Sequence, residues 1–94
     1  MSSNSAQPTL WSLAAGEQRE VVGFDDALSE AYRIRLMEFG FHPGERVACL
    51  LTPGFGAPRV YRVSNTVFSL DAEIAERVFV SDLTSDSVLE VGAA

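Results

Sequence analysis

The sequence predicts a mainly β fold with short helices, built as a small, partly open β-barrel of the SH3 type. Three observations predict it. Five short apolar segments are separated by turn residues, one helical segment lies between the first two, and a shorter one precedes the last. Ninety-four residues supply one domain with a modest core. We divide the chain into a flexible lead (1–8), the barrel domain (9–80) and a tail (81–94).

The first half of the chain is predicted to hold one strand and the main helix. Residues 20–24 are apolar enough for a strand, and residues 28–39 follow a helical period. Asp25 and Asp26 precede the helix, where carboxylates are good N-terminal caps. Gly40 follows the last periodic residue, where a glycine adopts the left-handed cap at no steric cost.

One face of the predicted helix is apolar. Its residues at helical spacing are Leu28, Tyr32, Leu36 and Phe39. Such a stripe needs a covering surface. We therefore expect it to pack against the sheet.

The second half of the chain alternates strands and turns. Strands are predicted over 46–51, 59–63, 66–70 and 77–80. A flexible, glycine-containing loop over 54–58 separates the first two. Asn65 lies in a tight hairpin turn, where it can take the positive φ that such turns demand. Asp71 is expected to cap a short helical segment before the last strand.

The predicted core takes one apolar face from each element. Its members are Val22, Leu36, Phe39, Val47, Leu50, Tyr61, Val63, Phe68, Leu70, Val78 and Val80. Cys49 falls within a strand and is expected to be a small buried hydrophobe.

The charge balance excludes several classes of function. The chain carries 13 acidic residues and seven basic ones, all arginine, for a net charge of -6. Such a surface disfavours nucleic acid. No apolar run is long enough to cross a bilayer, and residues 1–8 lack the features of a targeting signal. We expect a cytoplasmic protein that reaches the inner membrane only through a partner.

Catalytic chemistry is not predicted. One histidine and one cysteine cannot supply a metal site within one chain, and no phosphate-binding glycine loop or nucleophilic triad is present. We predict no enzyme activity, no cofactor and no metal site in the single chain. His42 is read as a solvated turn residue.

Interaction with a protein partner is the class of function that remains. Arg35, Met37, Phe41 and Phe55 are predicted to form an exposed apolar and cationic patch, and we add Arg59, directly after the glycine loop. Phe55 is the most indicative, because a phenylalanine flanked by two glycines on a loop has few neighbours to bury it. The alternative for Met37 and Phe41 is that they complete the core.

The chain resembles the FeoA family of small cytosolic proteins associated with bacterial ferrous iron uptake, over about residues 9–80. The matching features are Leu10, Leu13 and Gly16, the signature Arg35-Leu36-Met37-Glu38-Phe39-Gly40-Phe41-His42-Pro43-Gly44, the motif Gly56-Ala57-Pro58, and Leu70, Ala75, Val78 and Val80. Asn65 stands where the family usually has glycine, and Asp71 where a basic residue is frequent.

The resemblance implies a non-enzymatic accessory protein that contacts an FeoB-type membrane ferrous iron transporter, at its cytosolic nucleotide-binding domain. The alternative is a detached SH3-like sensor domain, related to the last domain of iron-dependent repressors. Its chemical signature would be ferrous iron bound across a homo-oligomer by His42 or Cys49 from several chains.

Overall fold

The computed structural model describes residues 7–82 and contains one five-stranded antiparallel sheet. Its elements are a 3-10 turn (Leu10–Ser12), β1 (Gln18–Phe24), α1 (Glu30–Phe39), β2 (Arg46–Leu51), β3 (Arg59–Val63), β4 (Thr66–Leu70), α2 (Ala72–Ala75) and β5 (Val78–Val80). The strand order is β4-β3-β2-β1-β5, with β4 and β5 at the two edges. The mainly β class predicted above is confirmed. The predicted lead and tail lie almost entirely outside the described residues.

A register shift in β1 changes which valine enters the core. β1 pairs with β2 on one side and with β5 on the other, and the pairing with β5 shifts between Val21 and Gly23. Val21 is buried, whereas Val22 is exposed. The prediction that Val22 belongs to the core is wrong, because a strand read one residue out of phase places the opposite set of side chains inside.

The helix begins later than predicted, and with a different cap. The N-cap is Ser29, whose Oγ accepts a hydrogen bond from the backbone N–H of Tyr32 at 3.2 Å. Asp25 and Asp26 are therefore not helix caps, and that prediction is wrong. Asp25 instead accepts a bond from the N–H of Ala27 at 2.9 Å, which stabilises the turn before the helix.

Gly40 ends α1 as predicted, in the left-handed conformation with φ of 115°. Its N–H donates to the carbonyl of Met37 at 3.0 Å, and the N–H of Phe41 donates to the carbonyl of Leu36 at 2.9 Å. This cap satisfies carbonyls of the last helical turn and redirects the chain. As a result, Phe41 points into the core, where it is completely buried.

The apolar stripe of α1 is only partly covered. Leu28, just before the helix, and Leu36 within it are buried, but Tyr32 is 53% exposed and Phe39 is 39% exposed. Phe39 stacks on the ring of Phe68 with 4.6 Å between the centroids. The stripe expected to pack against the domain does so only at Leu28 and Leu36, and the prediction of Phe39 as a core residue is wrong. The helix meets the body of the domain through Leu36 and the residues at its C-terminal end.

The observed core lies between the sheet, the N-terminal turn and the helix ends. Its buried apolar members are Leu10, Leu13, Val21, Leu28, Leu36, Phe41, Val47, Cys49, Tyr61, Val63, Leu70, Ala75, Val78 and Val80. Seven of the predicted core residues are confirmed by this set. Leu50 and Phe68 are half-buried instead, and Phe68 packs against the cluster from outside.

The N-terminal turn is fastened to β3 by a buried polar contact. The Tyr61 hydroxyl donates to the carbonyl of Leu10 at 3.0 Å, which satisfies the polar end of a fully buried side chain. Next to it, the chain before the turn joins β5, since the N–H of Val80 donates to the carbonyl of Pro8 at 3.0 Å. These contacts close one end of the barrel.

The two remaining turns follow the sequence closely. Ser64 and Asn65 join β3 to β4 with φ of 53° and 65°, as the hairpin prediction for Asn65 requires. Asp71 occupies the N-cap position of α2, but its side chain makes no capping hydrogen bond. Its backbone carbonyl accepts a bond from the N–H of Ala75 at 2.8 Å instead.

The packing at Gly40 predicts a stability difference between two glycines. A Cβ at Gly40 would lie 3.0 Å from the Oγ of Ser64, whereas a Cβ at Gly44, also left-handed at φ of 94°, would meet nothing within 4 Å. Gly44→Ala should cost about 1–2 kcal/mol from backbone strain. Gly40→Ala should cost at least about 1 kcal/mol more because of the crowding. Urea denaturation measures both, and equal losses would contradict the close approach.

The Tyr61 contact predicts a pH dependence at high pH. Burial raises the pKa of Tyr61 above the value of about 10 that an unfolded tyrosine has. The folded state therefore favours the neutral hydroxyl, and this contribution is present below pH ~10 and lost as the pH rises above it. Above that pH, the free energy of unfolding of the wild type should fall by up to about 1.4 kcal/mol per pH unit.

Tyr61→Phe is the control, because it retains every other ionisable group. It should be less stable at neutral pH, having lost the hydrogen bond to Leu10. The stability difference between the two proteins, measured by denaturation across the alkaline range, should narrow as the pH increases. A constant difference would contradict the raised pKa.

Candidate functional site

The outward side of α1 carries exposed apolar residues among charged ones. Ala31, Ile34 and Met37 recur every three residues and so lie along one side of the helix. Ile34 is 48% exposed and Met37 41% exposed. Since Tyr32 and Phe39 belong to the partly covered side, α1 carries apolar residues on two faces. An isolated domain gains no stability from the outer one, so it is a candidate contact surface.

The loop between β2 and β3 carries the most exposed aromatic residue that the structure describes. Phe55 is fully exposed, and its φ of 62° places it in the left-handed region. This conformation is unusual for a bulky residue and costs about 1 kcal/mol or more. Residues 52–58 contain no charged side chain, and Leu51 at the end of β2 is also exposed. The loop is therefore an apolar projection from the sheet.

The structure separates the residues of the predicted patch. Arg35 and Met37 are exposed on α1, and Phe55 is exposed on its loop. Phe41 is different: it is completely buried, with its ring 5.5 Å from that of Phe68. The expectation of an exposed Phe41 is wrong, and the alternative that it completes the core is right. The reason is the Gly40 cap, which turns the residue after it inward.

Arg59 is already engaged within the chain. Its guanidinium lies 4.0 Å above the ring of Trp11, and its Nη1 donates to the carbonyl of Trp11. A cation over an indole face is a favourable contact. The side chain is half-buried, and its Nε has no hydrogen-bond partner in the part of the chain that the structure describes. Arg59 thus joins β3 to the N-terminal turn and does not share a continuous exposed patch with Phe41.

The two candidate iron ligands, Cys49 and His42, differ in solvent exposure. Cys49 is fully buried, and burial raises the pKa of its thiol, which disfavours the thiolate that binds metal. This buried position disfavours a site that pools Cys49 from several chains. His42 is exposed, with its Nε2 3.9 Å from a carboxylate oxygen of Glu45.

No metal cluster is formed within residues 7–82: they hold no group of three or more His, Cys, Asp and Glu side chains placed to bind an ion. Over the same residues, no helix is long and apolar enough to cross a membrane.

Sequence reasoning missed Ile34 and Tyr32 as exposed residues. Tyr32 was assigned to a buried stripe, and Ile34 was not singled out. The signal was present in the spacing of Ala31, Ile34 and Met37, which places three apolar residues on a second side of the same helix.

The model of the FeoA domain family matches residues 9–82. The chain belongs to the FeoA family. The match begins at the N-terminal turn and ends just after β5, so it includes every helix and strand described above. The family is linked to ferrous iron transport, and the resemblance read from the sequence is thereby confirmed. No curated protein matches the chain significantly.

Solved structures of similar proteins support the fold. FeoA of Stenotrophomonas maltophilia, solved with zinc and described as a prokaryotic SH3 domain protein, is 33% identical with a TM-score of 0.71, over 79% of this chain and 89% of that one. FeoA from Chlorobium tepidum is 27% identical with a TM-score of 0.70, over 78% and 68%. The predicted SH3-like class is confirmed.

A regulator shares the fold as well. A manganese-dependent transcriptional repressor has a TM-score of 0.70 at 19% identity, over 83% of this chain. The chain spans only 42% of that repressor. This likeness concerns the fold alone.

The positions of Phe41 and Met37 predict opposite mutational behaviour. Phe41→Ala should lose about 3–5 kcal/mol of stability, because it empties a fully buried site. Met37→Ala should lose less than about 1 kcal/mol, because its side chain is 41% exposed and lies outside the buried core. Guanidinium denaturation measures both, with Phe41→Leu as a milder variant should Phe41→Ala fail to fold. Similar losses at the two positions would contradict this assignment.

Proposed function

We propose that this FeoA protein is an accessory protein of ferrous iron uptake that acts by contact with the cytosolic, nucleotide-binding part of an FeoB-type membrane transporter. In this role the protein has no enzymatic activity. It lies in the cytoplasm and reaches the membrane only through its partner. The observation that carries it is Phe55, a fully exposed phenylalanine held in a left-handed conformation at the tip of an uncharged loop.

The geometry of the Phe55 loop favours a protein partner. Burying a phenylalanine side chain is worth about 1.5–3 kcal/mol, which the isolated domain forgoes. Pro53 and Pro58 bracket the loop and limit the backbone freedom that would be lost on binding. Exposed aromatic residues that enter a pocket of the partner are typical hot spots of interfaces.

The outward face of α1 supplies a second contact. Ile34 and Met37 are neighbours on the helix surface, and methionine adapts its shape to an apolar groove. Arg35 is exposed on another side of α1 and forms no ion pair with the described residues, which leaves its guanidinium free for an acidic group of the partner. Ile34, Met37 and Phe55 all lie outside the buried core, so these side chains can change without unfolding the domain.

The test is retention of the purified protein by the detergent-solubilised transporter, with and without guanine nucleotide. Phe55→Ala should reduce retention at least about tenfold, and Ile34→Ala should reduce it by a smaller factor. Val67→Ala is the matched control, since Val67 is also an exposed apolar residue but lies on β4. Its retention should equal that of the wild type.

Two results would overturn the proposal. One is an absence of wild-type retention at every nucleotide and salt condition, and the other is equal loss in Phe55→Ala and Val67→Ala. In the first case the sensor-domain alternative becomes the leading one, and an anaerobic ferrous iron titration of wild type and His42→Ala would test it. Of the two candidate iron ligands, His42 and Cys49, His42 is the exposed one.

A further inference from the structure

A shallow groove of about 230 Å³ crosses the outer face of the sheet. Its lining residues come from β1, β2, β3 and the β3–β4 turn: Gln18, Arg46, Ala48, Arg62, Ser64 and Asn65. The strand register assembles it, because Ala48 is paired with Gln18 on one side and with Arg62 on the other. Paired residues in an antiparallel sheet project from the same face. Side chains far apart in sequence therefore meet above Ala48.

The two arginines of the groove are unpaired. Four of the seven arginines are engaged: Arg19, Arg33 and Arg77 form ion pairs, and Arg59 lies over Trp11. Within the described residues, Arg46 and Arg62 form no ion pair or side-chain hydrogen bond. Two of the three unengaged arginines thus line one groove.

The charge around the groove is locally positive on an acidic protein. The chain has 13 acidic residues, yet none lines the groove. Glu20 is the cross-strand partner of Arg46, but its carboxylate forms no ion pair with it. Neither guanidinium is held in an ion pair by a described residue, although the Glu20 side chain projects from the same face of the sheet as Arg46.

The neutral side chains of the groove are also available. Gln18 and Asn65 carry amide donors and Ser64 carries a hydroxyl, and none of these groups makes a side-chain hydrogen bond with the described residues. Five polar side chains with free donors therefore surround one concave surface. Such a set matches an anion that accepts several hydrogen bonds at once.

We propose that this groove binds a phosphate group. A carboxylate has two oxygens with about four acceptor sites, whereas a phosphate presents three or four oxygens and more negative charge, so it can accept from two guanidinium groups and several neutral donors together. The ligand is either inorganic phosphate or the phosphate end of a small phosphorylated molecule. The groove is lined neither by Phe55 nor by any residue of α1, so the proposal does not depend on the partner contact proposed above.

The experiment is an NMR titration of the full chain with sodium phosphate at constant ionic strength. Saturable shifts are expected for the backbone amides of Ala48, Arg62 and Asn65. Arg46→Gln and Arg62→Gln should each weaken binding about tenfold or more, because each removes charged hydrogen bonds. Arg35→Gln is the matched control: Arg35 is exposed and unpaired among the described residues but lies on α1, and binding should be unchanged.

Two further titrations, with guanosine diphosphate and with acetate, define the ligand. Guanosine diphosphate that binds more tightly than phosphate, with shifts at the same amides, would identify a phosphorylated small molecule as the source. Equal or weaker binding would identify inorganic phosphate. The proposal is overturned if no saturable shift occurs, if Arg35→Gln weakens binding as much as Arg62→Gln, or if acetate binds as tightly as phosphate.

Discussion

The left-handed cap at Gly40 is the constraint on which the arrangement of this domain depends. It closes the last carbonyls of α1, turns Phe41 into the core and lets the helix end lie against the β3–β4 hairpin at Ser64. No residue with a side chain fits this approach without displacement. The helix is thereby attached at its C-terminal end through Leu36 and Phe41, and Leu28 is buried just before its first turn.

This attachment explains why α1 is apolar on two sides. A helix packed along its length would bury one stripe and expose a polar face. Here the inner residues Tyr32 and Phe39 are only partly covered, and Ile34 and Met37 face outward. The domain keeps its stability in the sheet and the N-terminal turn, where Tyr61 and Leu10 meet. The helix and the Phe55 loop are thus available for recognition by a partner, in keeping with the accessory role proposed for this FeoA protein.

The arginines divide into structural and unpaired groups. Arg59 is held over Trp11, and Arg19 reaches both Glu17 and the carbonyl of Ser81, so both join the ends of the domain. Arg46 and Arg62 instead project from neighbouring strands above Ala48. Their separation in sequence hides this relation, and only the strand register reveals it. The outer sheet face and the helix are therefore chemically distinct surfaces on one small domain.

The sequence by itself determined the order of the strands along the chain, the end of α1 and the positive φ of Asn65. These are local properties, because backbone sterics and neighbouring hydrogen bonds decide them within a few residues. It also indicated the exposure of Phe55 from its flanking glycines. Other features required tertiary structure: the phase of β1 at Val21, the burial of Phe41, the engagement of Arg59, and the groove above Ala48. Each depends on which distant segment lies opposite, and the local pattern does not contain that information.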